Sequence, residues 1–485
     1  RHGWRGILRN LTILAYTDQL MRLRFVIQLL AFLVPSLTLG AGHAADNTFE
    51  TTLGNGMRVV VREDHRAPTA VQMVWYRVGS MDEHDGVTGV AHVTEHMMFK
   101  GTPRIGPGEF NRRVAALGGR DNAFTSTDYT AYFQQVPASQ LKTVMGLEAD
   151  RMRHLTLDPA GYSKEIQVIM EERRMRTDDQ SSARVYEAMN AVVWQAHPYR
   201  RPIIGWMSDL EQMTVQDVRD WYRRWYAPNN AILVVVGDVS HQQVFDWARQ
   251  TYGAIPARAL PERKQYEEPV QAGGRQLEVK APADLPLLIM AWKAPRLNDP
   301  RKDVDPYALE MLAQILDGHE AARLPAALVR EQQVAVSVDA SYDATHRGPG
   351  LFLLQSSPRP GHSVAELEQS IRAVLADVAK NGVTAQELKR ARSQLQSSEI
   401  YKKDSVMGQA MEIGMLETLG YGWQSSTLML DRLNQVTESD VQRVAQSYFT
   451  DDQLTMARLV PQPLDAAELA ARAKRAESVQ AGGRH

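Results

Sequence analysis

Two histidines four residues apart, His92 and His96, flank Glu95 in the run His92-Val93-Thr94-Glu95-His96. On an α-helix this spacing puts both imidazoles on one face, near enough to share a metal ion, with Glu95 on the flank of that face. The order is the reverse of the commoner His-Glu-x-x-His zinc helix. Zinc in a hydrolase takes three protein ligands and keeps one position for water, so a third ligand must come from elsewhere. The best source is Glu165-Ile166-Gln167-Val168-Ile169-Met170-Glu171-Glu172. Here Glu165 and Glu172 lie two turns apart on one helical face, whereas Glu171 points about 100° away. A carboxylate from this segment would complete an open site for one zinc ion per chain. Glu95 is then the expected general base, taking a proton from an attacking water and passing it to a leaving amine. The competing reading is a surface helix with two solvated histidines and a salt-bridging glutamate. It leaves the second acidic segment without a purpose.

Composition narrows the chemistry further. The chain has no Cys, which excludes disulfides, Cys-ligated zinc and thiol catalysis and leaves His and carboxylate as ligands. A formal net charge of −2 shows no basic excess of the kind that binds nucleic acid. The length of 485 residues exceeds what one hydrophobic core serves, so two or more domains are expected.

Residues 1–20 are expected to be upstream sequence outside a true start at Met21. Met21-Arg22-Leu23-Arg24 reads as a basic n-region, Phe25 to Leu39 as an apolar core, and Gly42-His43-Ala44-Ala45 as a small-residue cleavage context. The core is too short and interrupted for a span of about 20 residues. Residues 21–44 are therefore expected to be a cleaved signal, with an uncleaved anchor as the alternative; cleavage leaves 485 − 44 = 441 residues and no stable membrane span. Export without Cys suits a bacterial periplasm.

The elements that must position the site read as follows. Met57–Arg62, Val71–Val78, Tyr129–Val136 and Ala231–Val236 read as strands, the last buried on both faces. Leu141–His154 opens a helical region expected to run to Arg176. Strands and helices without strict alternation predict an α+β fold. The chain also repeats: Leu210–Val218 aligns with Leu433–Val441 at an offset of 223, and Thr214/Asp217 and Thr437/Asp440 have the spacing of a helix cap. Two homologous α/β halves are expected, 45–254 and 275–465, joined by a Pro- and Gly-rich linker at 255–274 and followed by a polar tail at 466–485. The second half's counterpart of the histidine helix falls near Tyr307–Leu316 and contains no His.

At this level of detail the chain resembles the pitrilysin/insulysin family of inverted zinc metallopeptidases, especially the branch of the mitochondrial processing peptidase β-subunit and its bacterial relatives. The resemblance spans nearly all of Ala45–Pro461. It is carried by His92 to Thr102, Leu117-Gly118-Gly119-Arg120-Asp121-Asn122-Ala123-Phe124-Thr125, Glu165 to Glu172, His197-Pro198-Tyr199 and Tyr226-Ala227-Pro228-Asn229-Asn230. It implies Glu172 as the third ligand, because 172 − 96 = 76 fits the family spacing, and Glu165 as an acid supporting the site. It implies peptide substrates held by edge-strand addition at Asn122, Ala123 and Phe124, a segment that by itself reads as a turn. It also implies four α/β units around a chamber, and hence a homodimer or a heterodimer with a homologous subunit lacking zinc ligands. One departure stands out. Val336 occupies the place of a substrate-contacting Tyr, leaving Arg323 or Arg330 to supply the paired Arg, with Arg323 taken as the substrate contact and Tyr342 nearby. A partner subunit is expected to supply the missing pair.

The function expected is therefore an exported zinc endopeptidase acting on extended or unfolded peptides in an enclosed chamber. A non-catalytic scaffold subunit and an unrelated zinc protein or esterase are the alternatives. His65, His154, His319 and His346, and Trp75, Trp194 and Trp292, read as structural.

Overall fold

The structure, a computed structural model, describes residues 47–463 and 465; the expected upstream segment, signal and polar tail lie outside the described residues. The chain opens with β1 (Thr48–Thr52), β2 (Arg58–Glu63) and β3 (Thr69–Tyr76), then α1 (Val90–Met97), α2 (Glu109–Ala116), β4 (Arg120–Thr125) and β5 (Thr130–Pro137). Helices α3 (Leu141–His154), α4 (Pro159–Arg173), α5 (Ser181–Val193), α6 (Met207–Gln212) and α7 (Val215–Trp225) follow, then β6 (Ala231–Gly237) and α8 (His241–Thr251). Beyond an irregular stretch come β7 (Arg275–Pro282), β8 (Leu287–Ala294), α9 (Asp305–Asp317), β9 (Ala335–Tyr342) and β10 (Gly350–Pro358). The chain continues through α10 (Val364–Asn381), α11 (Ala385–Asp404), α12 (Val406–Leu419), α13 (Ser425–Gln435), α14 (Glu438–Tyr448) and β11 (Leu454–Gln462).

These strands build two mixed sheets, ordered β1-β2-β6-β3-β5-β4 and β7-β11-β8-β10-β9. Without β1, the orders correspond strand for strand, and each contains one parallel pair, β2 with β6 and β7 with β11. The offset of 223 relates the first residues of α7 and α14, and of β6 and β11. Both expected helix caps form: the Thr214 and Thr437 hydroxyls accept from the Asp217 and Asp440 amides, and each Asp side chain accepts in return. The expected helical run from Leu141 to Arg176 is broken at Leu155–Asp158, where Asp158 caps a new helix with Pro159 at its first position.

Period-two alternation assigns each strand's side chains to two separate cores. On β3, Val74 and Tyr76 face the helices of the first half, while Val71, Met73 and Trp75 face the other way. The helix that covers this second face is α12, through Ala410 and Ile413, and it comes from the second half of the chain. Reciprocally, α5 of the first half lays Val185, Met189 and Val193 over Leu287, Ile289 and Ala291 of the second sheet. Each sheet thus completes its burial with a helix borrowed from the other half.

Candidate metal centre

The histidine helix is fixed at its start. Gly89 takes the left-handed conformation (φ 88°), and a Cβ there would lie 2.6 Å from the Ile204 carbonyl oxygen. The buried Glu83 carboxylate accepts the Gly89 and Ala91 amides, both at 2.8 Å, satisfying donors the first turn would otherwise leave bare. From this base α1 carries the two imidazoles with ring centroids 4.7 Å apart. Helix α4 packs beside α1 and brings its acidic face to them.

Glu172 Oε2 lies 3.3 Å from His96 Nε2 and 3.9 Å from His92 Nε2, and the three donor atoms fall within 4.8 Å of one another. Donors about 2.1 Å from zinc in a tetrahedron are roughly 3.4 Å apart, so small side-chain shifts would close this set around a zinc ion. Glu165 Oε1 meets His96 Nδ1 at 2.9 Å, which turns Nε2 toward Glu172, and Lys100 Nζ holds the other Glu165 oxygen at 2.5 Å. Glu171 also lines the cleft and pairs with Arg174 at 3.0 Å. Burial pushes His92 down to about 4, keeping it neutral with a lone pair to offer. Burial also opposes a charge on His96, but Glu165 and Glu172 outweigh it and raise this ring to about 9.

Glu95 sits beside these donors with its Oε2 accepting from the Thr125 hydroxyl at the end of β4. Burial pushes its carboxyl above the usual range, against the pull of Thr125 and His96. A carboxylate so raised is a better proton acceptor. Asn122, Ala123 and Phe124 lie on β4, which pairs with β5 on one side and is the outer strand of its sheet. The bare reading of that segment as a turn is thus replaced by an edge strand. All three line a cleft of about 1390 Å³ together with His92, Glu95, His96 and Glu172.

The second half forms the opposite wall through Tyr342, Asp343, His346, Leu351 and Leu353. Its loop is clamped onto the first half: Arg347 donates to Asp82 at 2.8 and 3.0 Å, and the Tyr199 hydroxyl bridges Asp128 (2.6 Å) and the Gly348 amide (2.9 Å). Trp194 and His346, read as structural, both reach this cleft.

Arg323 is a correction. Its guanidinium is bound by Glu387 at 2.6 and 3.0 Å, Asp377 at 3.0 Å and the Gly382 carbonyl, and it does not line the cleft. With its donors spent on those acceptors, it braces α10 and α11 rather than a substrate. Arg330 also lies outside the cleft, and Val336 is exposed. Residues that sequence reasoning passed over are Lys100, Thr125 and Arg176. The first two lie inside the recognised motifs, but their partners are distant in the chain.

Comparison with known proteins agrees with this picture. Residues 58–206 match the family described as insulinase (peptidase family M16), and residues 212–395 match a peptidase M16 inactive domain. The zinc protease PqqE of Helicobacter pylori is 30% identical over 437 residues, which are 88% of this chain and 96% of that protein. The probable mitochondrial-processing peptidase subunit beta of Arabidopsis thaliana is 26% identical over 435 residues, covering 86% and 79%. A solved protease from Helicobacter pylori superposes with a TM-score of 0.81 at 29% identity, covering 85% of this chain and 99% of that one. The periplasmic protease PqqL from Escherichia coli shares the fold, with a TM-score of 0.73 at 20% identity over 88% of this chain and 50% of its own. With two sheets of one topology, a histidine pair on the first half alone and relatives along almost its full length, the chain belongs to the insulinase family of peptidases, family M16.

Proposed function

We propose that this chain is a zinc-dependent endopeptidase that hydrolyses extended or unfolded peptides. The observation that carries the reading is the convergence of His92, His96 and Glu172 beside Glu95 on the wall of one large cleft. A zinc ion held there would supply Lewis-acid activation of water and of the scissile carbonyl. Glu95 takes the proton of the attacking water and gives it to the leaving nitrogen. Glu165, anchored by Lys100, keeps the His96 ring in the orientation that presents Nε2. The open edge of β4 offers backbone groups to an extended peptide, so that affinity depends on main chain more than on sequence. An extended chain has the unpaired backbone groups that this edge can bind, which favours flexible substrates.

The setting proposed is the periplasm, supported by the signal-like run from Met21 and by a relative described as periplasmic. Among the described residues no helix is long and apolar enough to cross a membrane. The four-unit chamber that the family resemblance implies supports a working dimer, with a second copy or with a homologous subunit without zinc ligands.

The test is cleavage of unstructured peptides by zinc-loaded wild type and Glu95→Gln. The expected result is a fall in kcat of about 10²–10⁴ with zinc retained. Equal turnover would remove Glu95 from its role. Absence of cleavage by wild type, alone and with a homologous partner, would favour a scaffold subunit.

A further inference from the structure

We propose that Arg176 is a further catalytic residue, supplying N–H donors to the carbonyl oxygen of the scissile peptide as negative charge develops on it. The inference rests on the peptidase reading above. Glu165, Glu172 and Arg176 follow one another at intervals of seven and four residues, so they form one stripe on the side of the helix that faces the histidines. At the end of α4 the backbone widens into a π-helical turn, Arg174–Asp178, in which the Asp179 amide bonds to the Arg174 carbonyl at 2.7 Å. Such turns are frequent at functional sites. This one puts Met175, Arg176 and Thr177 on the cleft wall.

Arg176 Nη1 lies 2.8 Å from Glu172 Oε1, the oxygen that does not face the imidazoles, while Oε2 of the same carboxylate is 3.3 Å from His96 Nε2. The guanidinium is therefore one carboxylate's width from the donor atoms that would hold the metal. Its side chain is 74% exposed, and among the described residues Glu172 is its one ion-pair partner. Most of its five donors thus remain available to a ligand in the cleft. The other arginines on the wall, Arg200 and Arg201, are both tethered to Asp85, and Arg201 also to the Glu83 carbonyl. Arg323 is spent on Glu387 and Asp377.

The chemistry asks for such a group. As water oxygen bonds to the carbonyl carbon, its proton passes to Glu95 and the C=O π pair moves onto oxygen. The C–N bond then breaks, the oxygen's charge collapses back into C=O, and Glu95 returns the proton to the departing nitrogen. A cation held beside that oxygen by its pairing with Glu172 is worth more at the tetrahedral stage than with the neutral substrate, so it acts on kcat rather than KM.

The test compares wild type with Arg176→Ala on a quenched fluorescent peptide that wild type cleaves. Zinc content is measured alongside, as is inhibition by a phosphinic peptide, a tetrahedral anion in place of the scissile amide. The expected result is unchanged zinc stoichiometry, KM within about threefold, and kcat lowered about 100-fold. The phosphinic peptide should bind weaker by a similar factor. A kcat within about threefold of wild type, a loss confined to KM, or a loss that tracks missing zinc would overturn the assignment. The last would leave Arg176 only as a prop for Glu172. If folded wild type, alone and with a homologous partner, shows no zinc-dependent cleavage, the peptidase reading falls first and this inference with it.

Discussion

The carboxylates around the two imidazoles are told apart by their partners. Glu172 faces both rings, Glu165 stands behind His96 with Lys100, Glu95 leans on Thr125, and Glu171 turns to Arg174. The histidine pair and Glu95 are legible from sequence because helical spacing alone brings them together. The Glu165–Glu172 stripe is legible as a stripe, but its docking against α1 is set by packing that no local pattern encodes. Arg323 is misread for the same reason: nothing near it in sequence announces Glu387 or Asp377. Its placement makes a prediction. Although burial opposes ionisation of Glu387, Arg323 and Thr384 hold its carboxyl down to about 2, against an ordinary glutamate's 4.5. A depressed acid contributes stability that is full above its unfolded value and lost as pH falls through the folded one. Arg323→Met should therefore destabilise the protein by on the order of 2 kcal/mol at pH 7 and by much less near pH 2, read by urea unfolding. Cleavage by the folded variant should match wild type; a large loss would restore Arg323 as a substrate contact.

Among the elements, the exchanged helices α5 and α12 carry the most consequence. Gly414 on α12 lies so close to the ring of buried Trp75 that a Cβ would fall 2.0 Å from the indole nitrogen. Replacing a helical Gly by Ala ordinarily gains about 1 kcal/mol. Here the overlap reverses the sign, and Gly414→Ala should cost about 1–3 kcal/mol in thermal or urea unfolding. A stabilised variant would mean that α12 is not seated on the first sheet. Strands β2, β3 and β5 were readable from alternation and apolar runs, and β6 from its unbroken Ala-Ile-Leu-Val-Val-Val. Which sheet a helix covers is not readable, since an amphipathic face fits either. The break before α4 was readable in principle, from Asp158-Pro159 inside the helical run. β4 was not, because Asn and Gly favour a turn unless a long-range partner strand is known.

At the scale of the molecule, the repeat at offset 223 shows in sequence, but the interlocking of its copies does not. Because each sheet is covered by the other's helix, the two halves should not separate when the linker is cut. A protease site placed at Val270, 83% exposed, should yield two fragments that co-elute and unfold in one transition. Fragments that part in native buffer would contradict the exchange. The cleft depends on the same union, since one wall carries the histidines and the other Tyr342 and His346. The central claim is a single zinc position built by His92, His96 and Glu172. Metal content of purified wild type, Glu95→Gln and Glu172→Gln after zinc loading and dialysis tests it most directly. One zinc per chain in the first two and a weakly held or absent ion in the third is the expected result; equally tight zinc in Glu172→Gln, or none in wild type, would contradict it.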